Sequence, residues 1–310
     1  MGKNHNFSHT AALLLAFGGP QALHEVGSFL EEVLGRKPSP HQIKTLKARY
    51  QLIGGSSPLP QITLRQGRAL QNKLQQGGLP LVVHVAMRFG RPSIAEAVQT
   101  IAEHKAYRII LVSLSPYRSP FTSEGYYREV RDVVAKYHEG VDLLQVADWY
   151  DHPCLAAAWA QQMERTSGNL RKEQAALPVI FTAHSLPQKA TTDYPYVTQI
   201  EQTIARIVDI TGTLRWRLAF QSRGRGKGPW LGPDPEVVLE ELRQVGYRSV
   251  LVVPVGFVTD HLETLYDLDV SLKQWAQARR MDIVRVPCLN DAPELIETLA
   301  QVVTETLEQA

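Results

Sequence analysis

The sequence predicts an α/β protein built on parallel sheet, and three observations carry that prediction. Short apolar, β-branched runs alternate with longer stretches whose apolar residues recur every three to four positions, the mark of successive β-α units. Several short runs, such as residues 11–17 and 249–255, are almost continuously apolar, as strands covered on both faces must be. The strands fall into two sets of four, with a change-over near residues 140–150. A chain of 310 residues is long enough for two ordinary domains.

In chain order, strands are expected at 11–17, 81–86, 108–114 and 143–146, then at 179–182, 217–221, 249–255 and 282–287. Helical patterns fill 24–34, 61–76, 93–104 and 125–138 in the first half, and 154–165, 196–211, 235–245 and 260–278 in the second. In the last helix Asn290 or Asp291 can act as cap, Pro293 fits the first turn, and Leu295, Leu299, Val302 or Val303, and Leu307 line one face. The expected division is 1–145 and 146–310, with that last helix, 292–310, packing back on the first domain.

Lys and Arg number 33 against 31 Asp and Glu, a formal charge of +2, which excludes a strongly basic nucleic-acid protein and an acidic tail. A hydrophobic share of 44% with 21% charged residues excludes disorder over the whole chain. The wholly apolar runs stay far below the roughly 18–20 residues a bilayer span needs. Residues 1–10 are polar and lack the apolar core of a secretion signal, so a cytoplasmic protein is expected. Cys154 and Cys288 lie in no C-x-x-C pair, and two cysteines alone make neither a zinc nor an iron–sulfur site; both read as reduced, small apolar residues.

In open α/β sheets, ligands bind beyond the carboxyl ends of the strands. Each half opens with a strand that stops in a loop of unusual composition: Ala-Phe-Gly-Gly-Pro (16–20) in the first, Thr-Ala-His-Ser-Leu-Pro (182–187) in the second. His184 therefore leaves the sheet where an imidazole can take a proton or bind a metal, or simply bond to loop backbone. After the seventh strand, Glu263 and Asp267 are spaced i, i+4, which sets two carboxylates on one helix face unless Asp260 and Glu263 serve instead as a capping box. His261, between them, is a weaker candidate. The segment 221–233 is rich in glycine, but Gly224, Gly226 and Gly228 give neither G-x-G-x-x-G nor a Walker A loop. Its Arg223, Arg225 and Lys227, with Arg215 and Arg217, form one basic stretch without a second patch, which argues against nucleic acid. In the first half, segments 49–59 and 115–126 combine Gly and Pro turns with Arg, Ser and Tyr donors and interleaved aromatics, which suits an anionic, planar guest.

Taken together, five stretches resemble the ferrochelatase family from end to end: Leu-Leu-Leu-Ala-Phe-Gly-Gly-Pro (13–20), Ile-Gly-Gly-Ser-Ser-Pro-Leu (53–59), Phe-Thr-Ala-His-Ser-Leu-Pro (181–187), Gln-Ser-Arg through Trp-Leu-Gly-Pro (221–233) and Val-Pro-Val-Gly-Phe-Val-Thr-Asp-His-Leu-Glu-Thr-Leu-Tyr (253–266). The resemblance implies two similar Rossmann-like domains, each a four-stranded parallel sheet flanked by helices, with a porphyrin cleft between them and Fe²⁺ as substrate, not prosthetic cofactor. It places the active-site histidine on His184 and the catalytic glutamate on Glu263, both expected to serve the metal from one side of the ring. It puts Arg49, Ser57 and Tyr126 at substrate carboxylates and Asp267 on a hydrated metal route. Phe17 stands where some relatives carry tyrosine, so it can stack on the ring but cannot ligate iron. One turn beyond Asp267, where some relatives extend the acidic face, this sequence has Ser271.

Within the family, the end of the chain directly after its last helix and the absence of cluster cysteines favour a coproporphyrin III enzyme making coproheme. Val33 and Leu34, where such relatives often carry arginines, count the other way, toward protoporphyrin IX. The rival readings are a non-catalytic heme or metal binder, a related cobalt chelatase and a nicotinamide dehydrogenase, the last opposed by the missing glycine fingerprint. The partners implied are porphyrin and ferrous iron, with no nucleic acid and no stable membrane insertion. A monomer is the expectation, compatible with transient contact with neighbouring heme-pathway enzymes.

Overall fold

The computed structural model describes residues 9–173, 177–213, 215–224, 226 and 228–310. Among these, eight strands form two parallel sheets of four. The first contains β1 (Thr10–Gly18), β2 (Val82–Phe89), β3 (Arg108–Ser113) and β4 (Asp142–Gln145), in the order β2-β1-β3-β4. The second contains β5 (Val179–His184), β6 (Trp216–Gln221), β7 (Ser249–Val253) and β8 (Asp282–Arg285), in the order β6-β5-β7-β8. The second half thus repeats the topology of the first, and every strand lies where the sequence predicts one.

The helices α1 (Val26–Leu34), α2 (Pro40–Leu52), α3 (Leu59–Gln76), α4 (Ile94–Glu103) and α5 (Ser123–Tyr137) belong to the first half. The remainder are α6 (Pro153–Glu173), α7 (Tyr196–Thr211), α8 (Pro235–Gln244), α9 (Leu262–Leu265), α10 (Lys273–Gln277) and α11 (Pro293–Glu308). Helix α2 is absent from the sequence prediction because Tyr50 is its one buried residue, so it shows little apolar periodicity. Its start is nonetheless well specified: the Ser39 hydroxyl accepts from the Gln42 amide, Gln42 Oε1 accepts from the Ser39 amide, and Pro40 opens the first turn.

The helix predicted over 260–278 is broken. After the single turn α9, residues Asp267–Leu272 form a π-turn, in which the Ser271 amide donates to the Tyr266 carbonyl at 2.9 Å, and α10 follows. The alternative of a capping box between Asp260 and Glu263 is not realised. His261 is the N-cap, its amide donating to Thr264 Oγ1, while Asp260 turns away to Arg285, Asn290 and Thr264. The reason is electrostatic: Arg285 and Asn290 offer the Asp260 carboxylate stronger donors than a helix end does. Asn290 and Asp291 likewise do not cap α11. Ala292 holds that position, and Asp291 pairs with Arg65 instead.

Alternation along the strands divides the core into layers. Leu13 and Leu15 of β1 join Ile109 and Leu111 of β3 under α4 and α5. Their neighbours Leu14, Ala16, Ile110 and Val112 face the other way, into one continuous core shared with Phe181 and Ala183 of β5 and Val253 of β7. The outer face of the second sheet, Ile180, Val250 and Val252, is closed by Leu239, Leu268 and Leu272.

Polar links reinforce that shared layer. Lys73 on α3 pairs with Glu297 on α11 at 2.6 Å, and Arg65 with Asp291 at 2.6 Å. Gln66 Nε2, wholly buried, donates to Thr259 Oγ1 (3.0 Å) and to the Asn290 carbonyl (2.6 Å). The loops of the second half are thereby held against a helix of the first.

Candidate active site

In each sheet the chain steps outward from the opening strand, to β2 or β6, and then crosses back to β3 or β7. This reversal leaves a crevice at the carboxyl ends of β1 and β3, and of β5 and β7. The two crevices face a common cavity of about 450 Å³. Its first-half wall carries Phe17, Val33, Arg88, Phe89, Phe121 and Tyr126; its second-half wall carries His184, Leu186, Trp230, Phe257, His261 and Glu263.

Two glycines let the walls approach. Gly18 has φ +99°, and a Cβ there would stand 1.8 Å from the Phe89 carbonyl oxygen. Gly256 lies so close to β5 that a Cβ would stand 2.6 Å from Ala183 Cα, and its amide donates to the Thr182 carbonyl at 3.0 Å. The loop after β7 is thus pinned beside the end of β5. His184 and Glu263, 79 residues apart in sequence (263 − 184), become neighbours because β5 and β7 are neighbours.

His184 Nε2 lies 3.3 Å from Glu263 Oε1, and His261 Nε2 lies 3.5 Å from Oε2 of the same carboxylate. The side chains of His184 and Glu263 retain 29% and 30% exposure, and both line the cleft. Burial disfavours the charged form of His184, but the Glu263 carboxylate outweighs it and raises the imidazole pKa above 6.5. Burial likewise opposes ionisation of Glu263, yet His184 and then His261 hold its pKa far below the usual carboxylate range. The site therefore presents a carboxylate flanked by two imidazoles, with the His184 imidazole more basic than a free one. The Tyr196 hydroxyl donates to the His184 carbonyl at 3.2 Å and fixes the backbone that carries the ring. Among the described residues, no group of three or more His, Cys, Asp or Glu side chains is arranged as a metal-ligand cluster.

The expected site residues divide between the cleft and its surroundings. Phe17, Tyr126, His184 and Glu263 line one cavity together. Arg49 and Asp267 line an adjoining hollow with Ser222, Arg223 and Ser271. There Arg49 lies 3.8 Å from Asp267 and over the Tyr266 ring at 5.1 Å, while Ser222, itself at φ +60°, donates to Asp267. Burial, with the nearby Glu263 charge adding to it, raises the Asp267 pKa despite that hydroxyl and Arg49. Gln221 bridges the two spaces by donating to the Glu263 carbonyl at 2.7 Å. Ser57 is buried under Gly19, with its amide on the Pro20 carbonyl and its hydroxyl accepting from the Leu59 amide.

The basic stretch is partly neutralised: Arg223 makes two bonds to Asp234, at 2.8 and 2.9 Å. Arg225 and Lys227 lie outside the described residues. Sequence reasoning did not single out Arg88, Tyr196 and Trp230, which line the cleft, and gave less weight to His261, which stands beside Glu263. For His261 the signal was available, since its own loop carries Glu263 two residues on. For Arg88 there was none beyond its place at a strand's carboxyl end.

The ferrochelatase family model matches residues 9–307. A coproporphyrin III ferrochelatase from Oceanobacillus iheyensis is 35% identical over 94% of this chain and 95% of its own. A ferrochelatase from Acidobacterium capsulatum is 36% identical over 96% and 95%. Among solved structures, SirB from Bacillus subtilis with Fe³⁺ superposes with a TM-score of 0.61 over 96% of this chain and 95% of that one. At 11% identity, SirB speaks for the fold alone. With the family model spanning the chain and relatives above 30% identity across nearly its whole length, the chain belongs to the ferrochelatase family.

Proposed function

We propose that this chain inserts Fe²⁺ into coproporphyrin III to give coproheme in heme biosynthesis. The observation that carries the reading is the contact of His184 with Glu263, 3.3 Å apart in a cleft walled by Phe17, Phe89, Phe121, Trp230 and Phe257. The relatives support the choice of porphyrin: those of Oceanobacillus iheyensis and Geobacillus kaustophilus, 35% and 34% identical, are coproporphyrin III ferrochelatases.

Metal insertion replaces two pyrrole N–H protons by one divalent cation, so two protons leave the ring and water must leave the iron. Aromatic walls accept the flat macrocycle and exclude water from its faces. Glu263, held ionised by its two imidazole neighbours, offers a fixed negative charge to the entering cation and a route out for a proton. His184 in its neutral form accepts a proton or holds the metal through Nε2. His261, on the far oxygen of Glu263, orients the carboxylate. Tyr126 stands on the wall as a donor to a substrate carboxylate, Arg49 and Ser57 belong to the same carboxylate-binding set, and Asp267 lies on the path of the hydrated metal. Phe17 stacks without ligating product iron. In this reading iron enters as substrate, and no prosthetic group is assigned a part. Among the described residues no helix is long and apolar enough to cross a membrane, and we place the reaction in the cytoplasm, carried out by a monomer.

The test is anaerobic Fe²⁺ insertion followed by absorbance, with coproporphyrin III and protoporphyrin IX side by side, for the wild type and His184→Ala. Turnover of coproporphyrin III that the substitution abolishes supports the reading. Preference for protoporphyrin IX moves the substrate, and porphyrin binding without insertion into either overturns the catalytic role.

A further inference from the structure

At the end of β2, on the first-half wall of the cleft, Arg88 is a cation whose surroundings are built for it but whose bonding is incomplete. Its side chain is only 19% exposed. Its guanidinium lies 5.3 Å over the Phe89 ring and 6.0 Å over the Tyr126 ring. Room for it is reserved at Gly125, where a Cβ would stand 2.6 Å from Arg88 Nη1 and 2.3 Å from the Pro120 carbonyl oxygen. The partners present are weak. Nη1 reaches the Pro120 carbonyl at 3.5 Å, and Glu129 Oε2 stands 3.3 Å from Nε, yet Nε is buried and makes no hydrogen bond. The Glu129 side chain is 40% exposed, so it can turn into water. Burial raises the Glu129 pKa, and Arg88 beside it partly offsets the rise.

Arg65 ties α3 to the loop before α11 by two bonds to Asp291, at 2.6 and 3.2 Å, a fork that the contact of Arg88 with Glu129 does not close. Arg88 instead lines the cavity and keeps unused donors among aromatic side chains, where water competes poorly for them. We propose that Arg88 is a carboxylate-binding subsite of the cleft, in which a propionate at the rim of a porphyrin displaces Glu129 and takes the guanidinium. Glu129 neutralises Arg88 while the cleft is empty and leaves when the carboxylate arrives. Tyr126, beside it, supplies a neutral donor but no charge, so Arg88 provides the counter-ion on this wall. A rim carrying four carboxylates gives the subsite an occupant more readily than one carrying two. The subsite rests on the porphyrin reading and extends it to specificity.

The experiment is fluorescence titration of coproporphyrin III onto the intact protein, for the wild type, Arg88→Gln, Arg88→Lys and Glu129→Gln, with folding checked by circular dichroism. Arg88→Gln is expected to weaken binding about tenfold or more, and Arg88→Lys to restore part of it. Glu129→Gln removes the competitor and is expected to tighten binding severalfold. The opposite signs are the discriminating readout, because a merely structural pair would give the same sign from either side. Affinities within twofold of the wild type in both Arg88→Gln and Glu129→Gln, or weakening in both, overturn the subsite. Binding that follows the expected signs in a protein that inserts no iron sustains the subsite and overturns the ferrochelatase reading. A wild type that binds no porphyrin overturns both.

Discussion

His184 Nε2 and Glu263 Oε1 stand 3.3 Å apart at the carboxyl ends of two adjacent strands, β5 and β7. The pairing makes each the chief influence on the other's charge after burial. Removing the imidazole leaves Glu263 with His261 on its far oxygen. His184→Ala is therefore expected to lower kcat for iron insertion by about 10²- to 10⁴-fold while leaving porphyrin affinity nearly unchanged, since the aromatic walls are intact. Absorbance of the metallated product reads the first quantity and porphyrin fluorescence the second.

The same pair sets a pH dependence. His184 is raised above 6.5, so the stabilisation its cation gains from Glu263 is complete below 6.5 and is lost as pH rises through the higher folded value. Glu263 is lowered from 4.5, so its share is present above 4.5 and is lost as pH falls toward its depressed folded value. Both shares are complete between 4.5 and 6.5. Insertion that uses neutral imidazole should rise with pH along a curve whose midpoint lies above 6.5. In Glu263→Gln, burial of His184 is opposed by the Ser185 backbone and Asp267 but no longer by Glu263, so its titration should move down from the wild-type value. Histidine NMR titration of the two proteins checks the downward move; an unmoved midpoint would mean that Glu263 is not the controlling neighbour.

The strands were legible because burial on both faces leaves a continuous apolar run, and β1, with Leu13, Leu14 and Leu15 all buried, is the clearest example. His184 was legible because its loop follows such a run. The break after α9 was not, since a π-turn through Asp267–Leu272 depends on where carbonyls point and leaves no composition signal. The role of Asp260 also escaped. Three residues before Glu263 it resembles a helix cap, but Arg285 and Asn290, 25 and 30 positions away, claim it through tertiary structure. Arg88 shows the same limit: a cation on a strand reads as surface until the fold brings it over two aromatic rings.

Asp267 adds a carboxylate one turn from Glu263, next to the cleft but outside its lining. Arg49 offsets it at 3.8 Å, a loose contact that an entering cation can replace. Asp267→Asn should raise the apparent KM for Fe²⁺ about fivefold, the effect of roughly 1 kcal/mol from a single partly exposed charge, with the porphyrin KM unchanged. Steady-state insertion at varied iron and fixed porphyrin measures it. A shift in the porphyrin KM instead would assign Asp267 to holding Arg49 in place.

Gly18 supplies the stability test of the cleft's geometry. It ends β1 with φ +99°, and the space a Cβ would need is already filled by the Phe89 carbonyl oxygen, 1.8 Å away. That oxygen belongs to backbone paired with β1, so it cannot turn aside as a side chain would. Gly18→Ala therefore combines left-handed strain with a collision and should cost about 3 kcal/mol, a fall of roughly 5–10 °C in Tm. Gly35, at φ +62° with nothing within 4 Å of its Cβ position, is the matched control. Gly35→Ala carries the strain alone and should cost about 1 kcal/mol. Because Gly18 lies between Phe17 and the strand that ends in Arg88 and Phe89, its substitution should also weaken porphyrin binding, whereas Gly35→Ala should not. Equal losses of Tm in the two variants would show that β1 and β2 can part at this end without penalty.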